Sequence, residues 1–119
     1  MDSLEVSVTA GRSGPVLVLA GEADVTSAGR LAEALATQAS GQAVRLTIDA
    51  TDLRYADSAS LRALVLAAEK IRTGGGTVTL LNPQPPVARL IELLGVDGML
   101  SVERRNPDET QPGVSGGGH

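Results

Sequence analysis

Three times along this chain a short apolar run meets a turn, and a helix-spaced run follows it. That repeat constrains the fold more than any other feature. VLVLAG, residues 16–21, is apolar throughout and short, as expected of a fully buried central strand. The segment after GEAD places Ala28, Leu31, Ala32, Leu35 and Ala39 at helical spacing, with Asp24 or Thr26 available as cap and Gly41 as its stop. VRLTID, residues 44–49, alternates as a third strand. A second helix is expected from Ser58 to Arg72, where Leu61, Leu64, Val65 and Ala68 share one face and the glycines at 74–76 end it. TVTLL, residues 77–81, reads as a fourth strand. NPQPP resets the chain, with proline tolerated in a helix's first turn. Val87, Leu90, Ile91 and Leu94 form the third helical stripe, closed by Gly95. A last short strand is expected within residues 99–102.

Ahead of the repeat, residues 4–9 alternate apolar and polar, and GRSGP supplies a turn, so an antiparallel hairpin opens the domain. Strands alternating with helices imply an α/β fold with parallel crossovers. The tail NPDETQPGVSGGGH has almost nothing apolar to bury and is expected to be disordered.

Composition narrows the chemistry. The 119 residues amount to one domain and contain no cysteine, so disulfides and thiolate metal sites are excluded. The one histidine, His119, is terminal and reads as a solvated tail residue, which leaves no histidine for a catalytic or zinc site. Tyr55 is the sole aromatic residue, so base-stacking platforms are lacking. With a formal charge of −4 and no basic stripe, nucleic-acid binding is disfavoured. No apolar run reaches the roughly 20 residues of a membrane span, and MDSLEVSV lacks a secretory pattern. A cytoplasmic protein without metal or cofactor is expected.

RYADSASL, residues 54–61, joins the third strand to the second helix. Taken alone, Asp57-Ser58 is a helix cap, with either residue able to accept the free amides of the first turn. Asp24 follows the preceding strand in a similar turn and is expected near Ser58. Read as paired carboxylates, Asp24 and Asp57 lack a neighbouring histidine, cysteine or lysine for acid–base work. The glycines at 74–76 lead from helix to strand, the reverse of a phosphate loop. Arg62, Arg89 and Glu92 read as a solvated helix face, Tyr55 as an edge-packing ring, and Leu66 as exposed contact surface.

Together LVLAGEADVTSAGRLAEAL, LTIDATDLRYADSASLRALVLAAEKIRTGGG, VTLLNPQPPVARLIELLGVDGML and the hairpin resemble the STAS domain of sulfate transporters and anti-sigma factor antagonists. The resemblance implies a mixed sheet of four to five strands with an N-terminal antiparallel hairpin and three main helices packed on it. It implies a STAS domain over residues 4–103 and a disordered tail over 104–119. The family's G-E-hydrophobic-D turn falls on Gly21, Glu22, Ala23 and Asp24. Its phosphorylation motif falls on Asp57, Ser58 and Leu61, with Ser58 as acceptor. Two positions depart: Ala59 stands where a second hydroxyl is common, and Ser60 where glycine is common. Ser60 adds a second hydroxyl and removes backbone freedom if that position needs positive φ.

The function implied is that of an anti-sigma factor antagonist, not an enzyme. The unphosphorylated form would bind an anti-sigma factor, a serine kinase with an ATPase-like fold, and so release a sigma factor. Phosphorylation of Ser58 would break the complex, and a serine phosphatase would restore it. Asp24, Asp57, Ser58, Ser60, Leu61 and Arg62 are the expected partner-binding residues, on a monomer or weak dimer. The resemblance also admits a different role, a cytoplasmic STAS subunit of a membrane lipid ABC transporter, which uses the same edge without phosphate. A small-ligand sensor is a third option that nothing in the sequence requires.

Overall fold

The structure, a computed structural model, describes residues 4–96 and 98–105. The remainder of the expected tail, His119 included, lies outside the described residues. Five strands form one sheet in the order β1-β2-β3-β4-β5. β1 (Leu4–Ala10) runs antiparallel to β2 (Pro15–Ala23), from Leu4↔Gly21 to Ala10↔Pro15. β3 (Arg45–Ala56), β4 (Thr77–Leu81) and β5 (Ser101–Glu103) continue parallel to β2. The crossovers carry α1 (Ala28–Gln38), α2 (Ser58–Thr73) and α3 (Pro85–Leu94). This is the mixed sheet, hairpin and three-helix architecture expected from the sequence.

Each crossover steps to the next strand in the same direction. Right-handed connections therefore place all three helices on one face of the sheet. Burial alternates accordingly: Leu17 and Leu19 on β2, Leu46 and Ile48 on β3, and Val78 and Leu80 on β4 are buried. Between them Val16, Val18, Thr47, Asp49 and Thr79 are only half-buried. The expectation of a fully buried β2 is thus corrected, since its valines face the side that carries no helix. The core is aliphatic, led by leucines, and Leu31, Leu61 and Ile91 bring the helices onto it.

Two boundaries differ from the sequence reading. β3 runs on past residue 49 to Ala56, because Asp52, Leu53, Tyr55 and Ala56 pair with the end of β2. Register shifts between Val18 and Ala20, and between Gly21 and Glu22, break the two-residue period there. The inward residues become Leu53 and Ala56, three apart, and the segment loses its strand signature. α1 is not stopped by Gly41: it ends at Gln38, and the N–H of buried Ala39 caps it on the Leu35 and Ala36 carbonyls. At its start neither Asp24 nor Thr26 is the cap. Ser27 holds that position, and its hydroxyl accepts from the Asp24 N–H at 3.1 Å instead of capping the helix.

Other punctuation falls where expected. Gly74 caps α2, Pro85 opens α3, and Gly95 closes α3 in the left-handed region at φ 68°. Gly76 enters β4 under the Val44 backbone, where a Cβ would be driven into the Val44 carbonyl and amide. Past β5, the Arg104 guanidinium donates to the Pro83 carbonyl at 2.8 Å and the Arg105 N–H to Asn82 Oδ1 at 2.6 Å. The first two residues assigned to the tail are therefore hydrogen-bonded to the domain.

Candidate functional site

The site is built where β2 and β3 end. Ala23↔Ala56 is their last pair, and the Asp57 N–H donates to the Ala23 carbonyl at 3.0 Å. This pairing sets the loop after β2 beside the loop after β3, so Asp24 and Ser58 belong to one edge, as the sequence reading expected. Asp57 is extended, at φ −92° and ψ 179°, and its Oδ1 accepts from the Ser60 N–H at 2.9 Å. Asp57 is thus the N-cap and Ser58 the first helical residue, which resolves the alternative left open by the sequence. The Asp57 carbonyl accepts the first intrahelical bond, from Leu61 N–H.

The two serines have opposite environments. Ser58 is exposed. Ser60 is fully buried, its Oγ 3.5 Å from the Asp24 carbonyl, where it bridges the two loops from beneath. Ser60 lies inside α2, and among the described residues only Ala43 and Asn82 are non-glycine residues with positive φ. The loss of glycine at this position therefore costs no backbone freedom that the loop needs. Leu61 is fully buried as well. Of the six residues expected to bind a partner, Ser58 and Arg62 are exposed, and Asp24 and Asp57 are half-buried. Ser60 and Leu61 are corrected: they support the edge and present nothing to a partner.

Both carboxylates are engaged locally. Asp24 Oδ1 accepts from the Thr26 hydroxyl at 2.6 Å and the Thr26 N–H at 3.0 Å. The Thr26 hydroxyl chiefly holds the Asp24 carboxyl below the usual carboxylate range, against a smaller opposing effect of burial. The Glu22–Arg54 pair on the same edge spans 3.8 Å between exposed side chains and contributes little.

Ser58 stands where two grooves meet. One, of about 420 Å³, includes Arg62, Val65 and Leu94. The other, of about 370 Å³, includes Tyr55, Pro86, Arg89 and Leu93. Beyond Arg62 a third furrow runs between α1 and α2, floored by alanines and bordered by Leu66. Large apolar side chains surround this edge in the open: Val25, Tyr55, Leu66, Leu93 and Leu94. Leu66 was expected there, whereas Tyr55 was read as an edge-packing ring and Leu94 as part of an inner stripe. Leu93 lies off the α3 stripe, a sequence signal that it faces outward, whereas Val25 carries no such signal.

Fold and site together define a class: a small α/β domain that exposes one serine, ringed by apolar surface, at the carboxyl edge of its parallel strands. The profile of the family described as Mlab, STAS domain, matches residues 6–101. The chain belongs to this STAS family. Among solved structures, an anti-sigma factor antagonist from Mycobacterium paratuberculosis is 25% identical, with 90% of each chain covered and a TM-score of 0.75. A STAS domain protein from Planctomyces limnophilus is 16% identical over 85% of this chain and 91% of the other, with a TM-score of 0.78. The Bacillus cell-fate determinant SpoIIAA in its phosphorylated form is 18% identical over 90% and 95%, with a TM-score of 0.68. No curated protein sequence matches the chain. No helix among the described residues is long and apolar enough to cross a membrane.

Proposed function

We propose that this chain is an anti-sigma factor antagonist switched by phosphorylation of Ser58. The observation that carries the reading is the contrast at the start of α2: Ser58 is an exposed hydroxyl on a capped helix, while Ser60 is sealed in the core. The mycobacterial antagonist supports the general role through its likeness over nine-tenths of both chains. In this reading the unphosphorylated edge docks on an anti-sigma factor, a serine kinase with an ATPase-like fold, and a sigma factor is released. The kinase then moves the γ-phosphoryl group of ATP onto Ser58 Oγ: the new O–P bond replaces the bond to ADP, and the hydroxyl proton leaves to a base on the kinase. A serine phosphatase reverses the modification. The chain itself acts as substrate, not enzyme, in the cytoplasm.

The phosphate adds about −1.5 to −2 charge at neutral pH. At the α2 N-terminus the helix dipole favours it by about 0.3–1 kcal/mol, while Asp57 and Asp24 oppose it. The domain therefore keeps its fold. Desolvating the phosphate under a docked partner costs several kcal/mol, and about 3 kcal/mol is more than a hundredfold in affinity. The test is a pull-down from cell extract to isolate the partner kinase, followed by its calorimetric titration with wild-type chain, Ser58→Ala and Ser58→Asp. Ser58→Ala is expected to bind like wild type and Ser58→Asp at least a hundredfold more weakly. Equal binding by the two variants would refute the switch. A second reading, a cytoplasmic subunit docked on the ATPase of a membrane lipid transporter, is favoured by the apolar surroundings of Ser58, which allow docking with no chemistry at the hydroxyl.

A further inference from the structure

We propose that Arg62 and Arg89 form a two-sided clamp for a phosphate carried on Ser58, holding its charge on the domain's own surface. The inference rests on the phosphorylation of Ser58 proposed above and adds how the modified residue is held. Ser58 is shared by the two grooves that meet at this edge, and each groove contains one arginine: Arg62 on the α2 side, Arg89 on the α3 side. Both arginines are exposed, and neither has a hydrogen bond or ion pair among the described residues. Arg54 is engaged with Glu22, Arg72 with the Gly98 carbonyl and Arg104 with the Pro83 carbonyl, whereas Arg12 and Arg45, also without such bonds, line neither groove. Arg62 lies four residues after Ser58 on the same helix, a spacing that brings Cβ atoms to about 5–6 Å. Arg89 approaches from the facing helix. A guanidinium presents paired N–H donors that match phosphate oxygens, so a phosphate between the two is gripped in a defined direction.

The charged groups around Ser58 give the clamp its purpose. Asp57 lies beside it at the cap, and Asp24 at the end of β2. Glu92 follows Arg89 by one turn of α3, and Glu22 is occupied by Arg54. Tyr55 lines the Arg89 groove, and Lys70 lies three turns along α2. Unmodified, Asp57 and Asp24 carry two negative charges and the two arginines carry two positive ones. With phosphate added, the arginines are the groups that keep the edge from carrying an uncompensated cluster of negative charge.

The experiment installs phosphoserine at position 58 by genetic code expansion, so no kinase is needed, and follows the phosphate by 31P NMR across pH. Arg62→Gln and Arg89→Gln are each expected to raise the phosphate's second pKa by about 0.5, because each removes one cation from a groove that Ser58 lines. The double variant is expected to show roughly the sum. Arg45→Gln, at the opposite end of β3, is expected to leave the value unchanged. A second pKa indifferent to both Arg62→Gln and Arg89→Gln would overturn the clamp, as would an equal rise in Arg45→Gln. The titration reads the clamp directly, whereas partner binding by Ser58→Asp reads the switch, so failure of one is distinguishable from failure of the other.

Discussion

Replacing Asp57 by alanine tests whether this residue organises the edge on which Ser58 sits. Its Oδ1 accepts the Ser60 N–H at 2.9 Å, and it is the cap of a helix of 16 residues. Losing such a cap costs about 1 kcal/mol, within a range of roughly 0.5–2. The amide it leaves belongs to a fully buried residue, so water replaces the bond poorly and the upper half of the range applies. For a domain near 100 residues, about 1–2 kcal/mol corresponds to a fall in Tm of roughly 5–10 °C. Asparagine separates geometry from charge, since its carbonyl oxygen caps nearly as well. What Asp57→Asn loses is the carboxylate at the helix N-terminus, about 0.3–1 kcal/mol. Thermal unfolding followed by circular dichroism should therefore rank wild type above Asp57→Asn, and Asp57→Asn above Asp57→Ala. Amide exchange at Ser60 should accelerate in the alanine variant alone. An alanine variant melting within a degree of wild type, or an asparagine variant as low as alanine, would show that the cap does not hold this edge.

Three further outcomes follow from the same structure. Ser58→Asp should melt within about 3 °C of wild type, whereas Ser60→Asp places a carboxylate in a fully buried site and should unfold the domain or lower its Tm by more than 8 °C, as measured by calorimetry. Gly76→Ala should destabilise by about 1–3 kcal/mol in urea titration, because its Cβ meets the Val44 backbone, while Gly29→Ala, with open space around it, should be neutral or stabilising. Thr26→Val should raise the Asp24 carboxyl toward its ordinary range in an NMR titration, since the hydroxyl bond is the main cause of the depression. A depressed carboxyl contributes stability that is present above its unfolded pKa and lost as pH falls through the folded pKa. The stability gap between wild type and Thr26→Val should accordingly close in acid.

Much of the fold is legible where glycine and proline punctuate it. The glycines after α2, Pro85 at the start of α3 and Gly95 after it each mark an end that the structure keeps, and β4 falls at residues 77–81 as read. The second half of β3 was illegible for a physical reason: register shifts against β2 replace the two-residue period by a three-residue step from Leu53 to Ala56. The open face of β2 was hidden by composition. Valine serves a half-buried face as well as a buried one, so VLVLAG carries no alternation in residue type although it alternates in burial.

The site was legible in its position and blurred in its detail, and helix geometry explains both. At 3.6 residues per turn each step along α2 rotates by about 100°. Ser60 lies about 200° from Ser58 and must face the opposite side, while Arg62 returns to within about 40° of it. Once Asp57 is fixed as the cap, one serine of RYADSASL is therefore exposed and the other buried, and the cation that shares the exposed side is Arg62. The same rotation puts Leu93 about 200° from the buried Ile91, which makes it an apolar side chain directed outward beside the Arg89 groove. What one helix cannot reveal is the pairing of Ala23 with Ala56 across the sheet. That contact sets the Asp24 carbonyl 3.5 Å from the buried Ser60 Oγ, fixes the loop from below, and leaves Ser58 exposed, outside the packing that holds it in place.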